Sequence, residues 1–172
     1  PKAASTNWKR VFQTFEDKIV NPMDLKDREA IHRFKYQRMK GLPPKERNRR
    51  FTDYLTFIFV RHPYERLISA YRNKFKDPYN PLYQINVGSD ILRLFRKNLT
   101  RSQYALGKGV TFKEFILYII AKYDSKKYSD FDVHWQTIEK LCQPCDRQYD
   151  FIGKMETLIE DSTQLMNALY IE

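Results

Sequence analysis

The sequence opens with PKAASTNWKR (residues 1–10), in which small and hydroxyl side chains come directly before an amphipathic pattern. Apolar residues then recur at positions i, i+3, i+4 and i+7, namely Trp8, Val11, Phe12 and Phe15. This spacing predicts a helix from about Thr6 to about Lys18, entered through a tight turn with good N-cap residues.

The turn before this helix has the properties of an anion-binding loop. Small side chains at Ala3 and Ala4 let an anion approach the backbone, and the helix start offers N–H groups and a partial positive charge. Lys2 adds a full charge. The loop of nucleotide hydrolases, G-x-x-x-x-G-K-[ST], is absent, because the lysine comes first and there is no glycine. Taken alone, such a stretch fits a capped helix with an exposed lysine at least as well.

A second strand–turn–helix pattern follows in the middle of the chain. Residues 54–60 are apolar and rich in aromatic and β-branched side chains, which predicts a buried parallel strand. Pro63 suits the first position of the next helix. Arg61 at the strand end and Ser69 in the helix could bind one anion, because a guanidinium binds phosphate in a bidentate way. The alternative is that Arg61 pairs with an acid and Ser69 is a packing residue.

Length and charge limit the class of protein. The 172 residues, 42% of them hydrophobic, suit one globular domain with a sizeable core. The net charge of +10 predicts an anionic partner: a nucleic acid, an anionic polysaccharide or an anionic cofactor. No run is long enough to span a bilayer. Because an anion-binding turn normally follows a buried strand, we expect that a strand and a membrane anchor precede Pro1 in the parent protein.

The remaining segments complete an alternation of helices and strands. We expect a short helix around residues 25–39, a solvated basic segment at 45–50 after the helix-breaking Pro43 and Pro44, and a variable excursion over 76–110. Thr111 and Glu114 form a capping box before an amphipathic helix. Its predicted core stripe consists of Phe112, Phe115, Ile116, Ile119, Ile120 and Tyr123. Residues 149–153 predict a last short strand, and a final helix begins near Glu156.

The two cysteines and one sequon are candidates for covalent chemistry. Cys142 and Cys145 form a single C-x-x-C pair, which is half of a zinc site, so we do not expect structural zinc. We expect a local disulfide between them, which requires an oxidising compartment. Asn98 begins the sequon Asn-Leu-Thr, which is meaningful if the chain is lumenal or secreted.

Three stretches together resemble the Golgi carbohydrate sulfotransferases. Residues 1–10 resemble their 5′-phosphosulfate loop, and FVRHPYERLISAYR (59–72) resembles their 3′-phosphate motif. HWQT (134–137), LCQPC (141–145) and YDFIGKMET (149–157) resemble the C-terminal signature of the chondroitin, dermatan and N-acetylgalactosamine branch. The matches keep the family's order over nearly the whole chain.

The resemblance implies an α/β fold of P-loop-like sulfotransferase type, with a central parallel sheet flanked by helices, forming one catalytic domain over 1–172. It implies 3′-phosphoadenosine 5′-phosphosulfate (PAPS) as donor, with no metal. By position, Arg61 and Ser69 would bind the 3′-phosphate. The residues that would bind the 5′-phosphosulfate are Lys2, Ala3, Ala4, Ser5, Thr6, Asn7 and Trp8. Two positions depart from the family: His62 replaces an acid, and Ser5 replaces the cysteine of this branch.

The mechanism implied is in-line sulfuryl transfer, with Lys2 stabilising the charge on the leaving phosphate. The acceptor hydroxyl needs a general base, and histidine suits neutral pH. His32 is our first candidate, because its setting resembles that of the catalytic histidine of heparan 2-O-sulfotransferases. His134 is the alternative, either as the base or as a packing residue. We expect His62 to lie at the 3′-phosphate end.

The acceptor implied is an anionic glycosaminoglycan or glycan, most specifically the 4-OH of N-acetylgalactosamine in chondroitin or dermatan. Glucuronyl 3-O- and uronyl 2-O-sulfation remain alternatives, and basic residues in 40–50 and 93–101 could guide the chain. The family implies a type II Golgi membrane protein with a lumenal catalytic domain. Outside this class, we considered a kinase, but the sequence lacks the phosphate-binding loop that a kinase of this type requires. A non-catalytic polyanion-binding domain is the other alternative, and it fits the positive charge. Nucleic acid is not expected, because the aromatic residues occupy helical core stripes.

Overall fold

The computed structural model describes residues 2–17, 21, 25, 31, 39–78, 81–125 and 130–169. The chain forms two compact units. The first contains Ala3–Arg61 and Gln143–Glu172, and the second contains His62–Cys142 together with Lys2. The single catalytic domain over 1–172 stays a prediction.

The described residues contain eight α-helices, two β-strands, two π-helical turns and a short 3-10 turn. The helices are α1 (Ser5–Asp17), α2 (Pro44–Asp53), α3 (Pro63–Tyr71), α4 (Ser89–Phe95), α5 (Arg101–Leu106), α6 (Phe112–Asp124), α7 (Ile138–Cys142) and α8 (Leu158–Ala168). The strands are β1 (Phe57–Val60) and β2 (Phe151–Lys154). The π-helical turns are Arg72–Lys76 and Gln84–Gly88, and the 3-10 turn is Met39–Gly41.

The first unit is built on a parallel pair of strands, which confirms the predicted α/β class. β1 and β2 pair in parallel, with Phe57 opposite Phe151 and Val60 opposite Lys154. Asp150 fixes the start of the pairing, because its Oδ2 accepts hydrogen bonds from Thr56 N at 2.6 Å and Thr56 Oγ1 at 2.9 Å. β1 begins three residues later than predicted, since α2 extends to Asp53 and the next residues form an exposed connection.

Aromatic rings attach α1 to β1 within this unit. The ring centroid of Trp8 lies 5.1 Å from those of both Phe57 and Phe59. Gly153 on β2 leaves room for the Phe59 ring, since a Cβ on Gly153 would lie 2.4 Å from that ring. Trp8 and Phe12 of the predicted apolar stripe therefore pack on β1, whereas Phe15 is 46% exposed. Helix α1 begins within one residue of the predicted start.

The basic segment after Pro43 and Pro44 has no buried residue, which agrees with the predicted solvated segment, but it forms a helix that the two prolines did not suggest. α2 begins at Pro44, because proline is favourable in the first turn, where its missing N–H is not needed. Within α2, Glu46 pairs with Arg49 at 3.0 Å and with Arg50 at 2.8 Å. The helix predicted around 25–39 lies largely outside the described residues.

The second unit has its own apolar core. α3 begins at Pro63, as predicted, and continues into the first π-helical turn. The buried core residues are Ala70, Phe75, Ile91, Leu92, Val110, Phe115 and Trp135. Three of these residues come from the segment 76–110, which the sequence suggested was a variable excursion. That prediction was wrong, because glycines and prolines there join short helices that carry buried side chains.

Helix α6 confirms its predicted cap and only part of its predicted core stripe. Thr111 and Glu114 form both hydrogen bonds of the capping box. Phe115 is fully buried, and Ile116 and Ile119 pack against the core. The other three stripe residues, Phe112, Ile120 and Tyr123, are 39%, 49% and 63% exposed. Phe112 lies in the first turn of the helix, Ile120 at the edge of the stripe and Tyr123 in the last turn, so the small core does not cover them.

Glu114 also forms a bidentate ion pair that ties α6 to the end of α4. Its Oε1 accepts from Arg96 Nε at 2.6 Å, and its Oε2 accepts from Arg96 Nη2 at 2.9 Å. The hydrogen bonds from Arg96 lower the pKa of Glu114 to about 2, while burial opposes this shift and Thr111 adds to it. Because the folded pKa lies below the unfolded value, this contribution to stability is present above about pH 4.5 and is lost as pH falls toward 2.

We expect Glu114→Gln to lower the free energy of unfolding at pH 7 by about 1–3 kcal/mol, because a charge-assisted pair is lost while the cap is kept. The difference from wild type should shrink as pH falls below about 4.5, where the wild-type carboxylate begins to lose its advantage. Urea denaturation from pH 7 to pH 3 measures both effects. Asp90→Asn is the control, because its exposed pair with Arg93 should contribute less than about 0.5 kcal/mol. A Glu114→Gln effect that does not change with pH would contradict the assignment.

Candidate functional site

The N-terminal turn has a strained backbone of the kind found at ligand sites. Lys2 has φ 65° and Ala4 has φ 52°, while Ala3 between them is not in the left-handed region. Each non-glycine residue in that region costs about 1–2 kcal/mol, so the surrounding structure must hold it. Alternation of this kind turns successive N–H groups toward one side and is typical of anion-binding backbone nests.

The start of α1 offers further hydrogen-bond donors. Ala4 O accepts hydrogen bonds from Asn7 N at 2.9 Å and from Trp8 N at 3.0 Å, which places the start of the helix at Ser5. The N–H groups of Ser5 and Thr6 belong to the first turn and have no intrahelical acceptor. With the positive end of the helix dipole, they suit an anion. This local geometry agrees with the loop predicted from the sequence.

Packing against β1 explains why the turn is held in this conformation. Ala3 is buried in one cluster with Phe59 of β1 and Leu165 of α8. Arg10 adds hydrogen bonds that were not predicted from the sequence. Its guanidinium donates to Asn7 Oδ1 at 3.2 Å and to Leu25 O at 3.1 Å, so it fixes the Asn7 side chain.

The predicted 3′-phosphate residues fall in different units. Arg61 directly follows β1, is half-buried and belongs to the first unit. Ser69 is half-buried in α3 and belongs to the second unit. His62 is exposed at the N-cap of α3, with its ring centroid 5.4 Å from that of Tyr64. A joint role for Arg61 and Ser69 stays a prediction.

Arg66, in the same motif, has a structural role that the sequence did not reveal. It is only 5% exposed, and its guanidinium donates to Gln136 O at 2.6 Å and to Val133 O at 3.1 Å. Burial lowers the pKa of Arg66. The guanidinium therefore links α3 to the loop that carries His134.

His134 lies in a polar cluster with Asp132 and Tyr83. Its Nδ1 is 2.5 Å from Asp132 Oδ1, and Tyr83 OH donates to Asp132 Oδ2 at 3.0 Å. Burial acts to raise the pKa of Asp132, but the hydrogen bonds from His134 outweigh it and hold that pKa below its ordinary value. Burial raises the pKa of Tyr83 to about 12, and Asp132 adds to the rise. Neither partner was predicted from the sequence.

The other predicted residues have separate outcomes. His32 lies outside the described residues. Cys142 ends α7 and is half-buried, whereas Cys145 is exposed, and the two are not joined by a disulfide. The predicted local disulfide is therefore not formed in the structure; burial raises the pKa of the Cys142 thiol, which disfavours the reactive thiolate. Asn98 is exposed between α4 and α5, so its glycosylation stays a prediction.

The described residues contain neither a metal-binding cluster nor a membrane-spanning helix. In these parts of the chain, no group of three or more His, Cys, Asp or Glu side chains is arranged to bind a metal ion. No helix in the described ranges has the length and apolar character needed to cross a membrane.

Comparison with known proteins gives the class. The model of the sulfotransferase family matches residues 1–172, so this chain belongs to the sulfotransferase family. It is 40% identical to carbohydrate sulfotransferase 11 of Rattus norvegicus over 168 residues, covering 96% of this chain and 47% of the relative. Carbohydrate sulfotransferase 14 of Danio rerio is 39% identical, and the match covers 98% of this chain and 44% of that relative. Carbohydrate sulfotransferase 9 of Homo sapiens is 36% identical, and the match covers 98% of this chain and 37% of that relative.

These comparisons confirm the resemblance predicted from the three motifs. The chain spans less than half the length of each relative reported above. No solved structure matches this chain.

Proposed function

We propose that this chain carries the donor-binding and catalytic part of a carbohydrate sulfotransferase, which moves a sulfuryl group from PAPS to a sugar hydroxyl. The observation that carries the proposal is the strained, glycine-free turn at Lys2 and Ala4, which opens α1 in a member of the sulfotransferase family. The names of the relatives, identical at 36–40% of positions, support a carbohydrate acceptor.

The donor residues follow from the sequence motifs and fit the local geometry. Lys2 and the backbone from Ala3 to Asn7, flanked by Trp8, bind the 5′-phosphosulfate. The left-handed residues and the first-turn N–H groups suit an anion at this place. Arg61 and Ser69 bind the 3′-phosphate. A P-loop-like arrangement of the complete sheet belongs to this proposal.

The donor supplies an activated sulfuryl group, and the residues of this chain supply charge and proton transfer. The acceptor oxygen forms the new S–O bond as the S–O bond to the bridging phosphate oxygen breaks. The Lys2 ammonium stabilises the negative charge that develops on that leaving oxygen. A histidine, His32 or His134, takes the proton of the acceptor hydroxyl.

The acceptor proposed is the 4-OH of N-acetylgalactosamine in chondroitin or dermatan, with glucuronyl 3-O- and uronyl 2-O-sulfation as the alternatives. The resemblance of residues 134–157 to the signature of that branch supports the first choice. The net charge of +10 suits a polyanionic acceptor. The resemblance to the Golgi carbohydrate sulfotransferases supports a lumenal Golgi location.

The test is transfer of labelled sulfate from PAPS to desulfated chondroitin, dermatan and heparan, followed by disaccharide analysis of the products. We expect label mainly on the 4-position of N-acetylgalactosamine, and we expect the acceptor KM to rise with salt because the steering is electrostatic. Label at another position would select one of the alternative acceptors. Binding of the acceptors with no transfer to any of them would contradict the proposal and leave a polyanion-binding domain.

A further inference from the structure

The protonation of the His134 cluster follows from its hydrogen bonds. Asp132 Oδ1 lies 2.5 Å from His134 Nδ1 and accepts from His134 N at 2.9 Å. Tyr83 OH donates a hydrogen bond to the other carboxylate oxygen at 3.0 Å, and its oxygen also lies 3.2 Å from His134 Nδ1. Asp132 is ionised at neutral pH, because its pKa lies below the ordinary value. The carboxylate therefore accepts the Nδ1 proton, and the lone pair of neutral His134 lies on Nε2.

The His134 side chain is partly exposed, as a general base requires. Among the residues that the structure describes, no hydrogen-bond partner occupies Nε2. The His134 side chain is 20% exposed, so a substrate hydroxyl can approach it while most of the ring is shielded. A carboxylate on one ring nitrogen and a lone pair on the other is the arrangement that orients a histidine to accept a proton.

The loop that carries His134 is fixed on both sides. Trp135 is 5% exposed and packs in the core, with its ring centroid 5.5 Å from that of Phe115. The Arg66 guanidinium holds the carbonyls of Val133 and Gln136. The ring of Tyr83 stands edge-on to that of His134, at 5.4 Å between centroids. The imidazole is therefore held before substrate binds, as catalytic groups require.

One further charged group faces this cluster. Lys74 Nζ lies 3.9 Å from the centroid of the Tyr83 ring. Burial lowers the pKa of Lys74, and the negative charge of Asp132 opposes that shift.

We propose that His134 is the general base of the transfer reaction and that Asp132 is its positioning residue. The inference rests on the proposed sulfotransferase function, and it selects His134 rather than His32. Nε2 takes the proton of the acceptor hydroxyl while the electron pair of that O–H bond forms the new S–O bond. The S–O bond to the donor phosphate breaks, and adenosine 3′,5′-bisphosphate leaves with its electron pair. The imidazolium then returns the proton to solvent.

The experiment compares variants of the purified protein at saturating donor and acceptor. We expect His134→Ala to lower kcat by about 10²–10⁴-fold, with unchanged affinity for adenosine 3′,5′-bisphosphate, and added imidazole to restore part of the rate. We expect Asp132→Asn to lower kcat, because the imidazole loses the carboxylate that orients it, and Asp132→Glu to recover part of that rate. Tyr104→Phe and Asp90→Asn, both at exposed positions of the same unit, should behave as wild type.

The outcomes separate the inference from the function on which it rests. The inference is overturned if wild type transfers sulfate and the kcat of His134→Ala stays within about threefold of wild type, because loss of a general base costs far more than that. It is also overturned if His32→Ala abolishes turnover while His134→Ala does not. If His134→Ala does not fold, the Asp132 variants decide, and a wild-type kcat of Asp132→Asn overturns the proposal. If wild type transfers no sulfate to any acceptor, the proposed function itself fails.

Discussion

We expect replacing Lys2 by alanine to lower kcat for the proposed sulfuryl transfer by about 10²–10³-fold, because the preorganised cation beside the leaving oxygen would be lost. The substitution separates the effect of the Lys2 charge from any effect on the backbone conformation. Lysine and alanine both have a Cβ, so at φ 65° the backbone strain is nearly the same in the two proteins. The initial rate at saturating donor and acceptor measures the loss.

Two further variants serve as controls for this result. Lys2→Arg retains a cation and should recover part of the rate, although its planar head cannot reproduce the position of an ammonium group. Lys113→Ala removes an exposed lysine from the first turn of α6 and should leave kcat unchanged. Near-normal turnover of Lys2→Ala would remove Lys2 from the catalytic assignment.

Replacing Gly107 by alanine lowers the free energy of unfolding by about 3 kcal/mol or more, since a steric clash adds to backbone strain. Gly107 has φ 61° and ends α5. A Cβ there would lie 1.8 Å from Gln84 O and 2.5 Å from Ser89 N. Both are backbone atoms, so the second π-helical turn and the start of α4 would have to move.

Gly109 provides a matched control two residues away. It also has a left-handed φ, of 85°, but a Cβ there would meet nothing closer than 4.0 Å. Gly109→Ala should therefore cost only the backbone strain, about 1–2 kcal/mol. Urea denaturation of the two variants measures the difference. Equal losses would show that the close approach of α5 to Gln84 does not contribute to stability.

Elements fixed by neighbouring residues could be predicted from the sequence. Thr111 and Glu114 specify the start of α6 through contacts three residues apart, and Pro63 specifies the start of α3 by its fixed φ. The apolar run at β1 and the last strand, β2, pair in parallel as expected. The ionic α2 was missed, because Pro43 and Pro44 suggested a break where the second proline begins a helix.

Elements fixed by distant contacts could not be predicted in this way. Ile91 and Leu92 are buried because α4 packs against α5, α6 and the second π-helical turn, and the seven residues of α4 are too few to show an amphipathic pattern. Tyr83 reaches Asp132 across 49 positions of sequence. Only the D-x-H spacing of Asp132 and His134 was visible locally, and it could have indicated an oriented histidine.

Calorimetric titration with adenosine 3′,5′-bisphosphate and with adenosine 5′-phosphate most directly tests whether this chain binds both ends of PAPS. The second ligand lacks the 3′-phosphate, so the pair isolates that group. We predict that wild type prefers the bisphosphate, and that Arg61→Ala weakens its binding about 10- to 100-fold. Binding of the 5′-phosphate should be unchanged in that variant. Equal affinity of wild type for the two ligands, or equal weakening of both by Arg61→Ala, would contradict the proposed donor site.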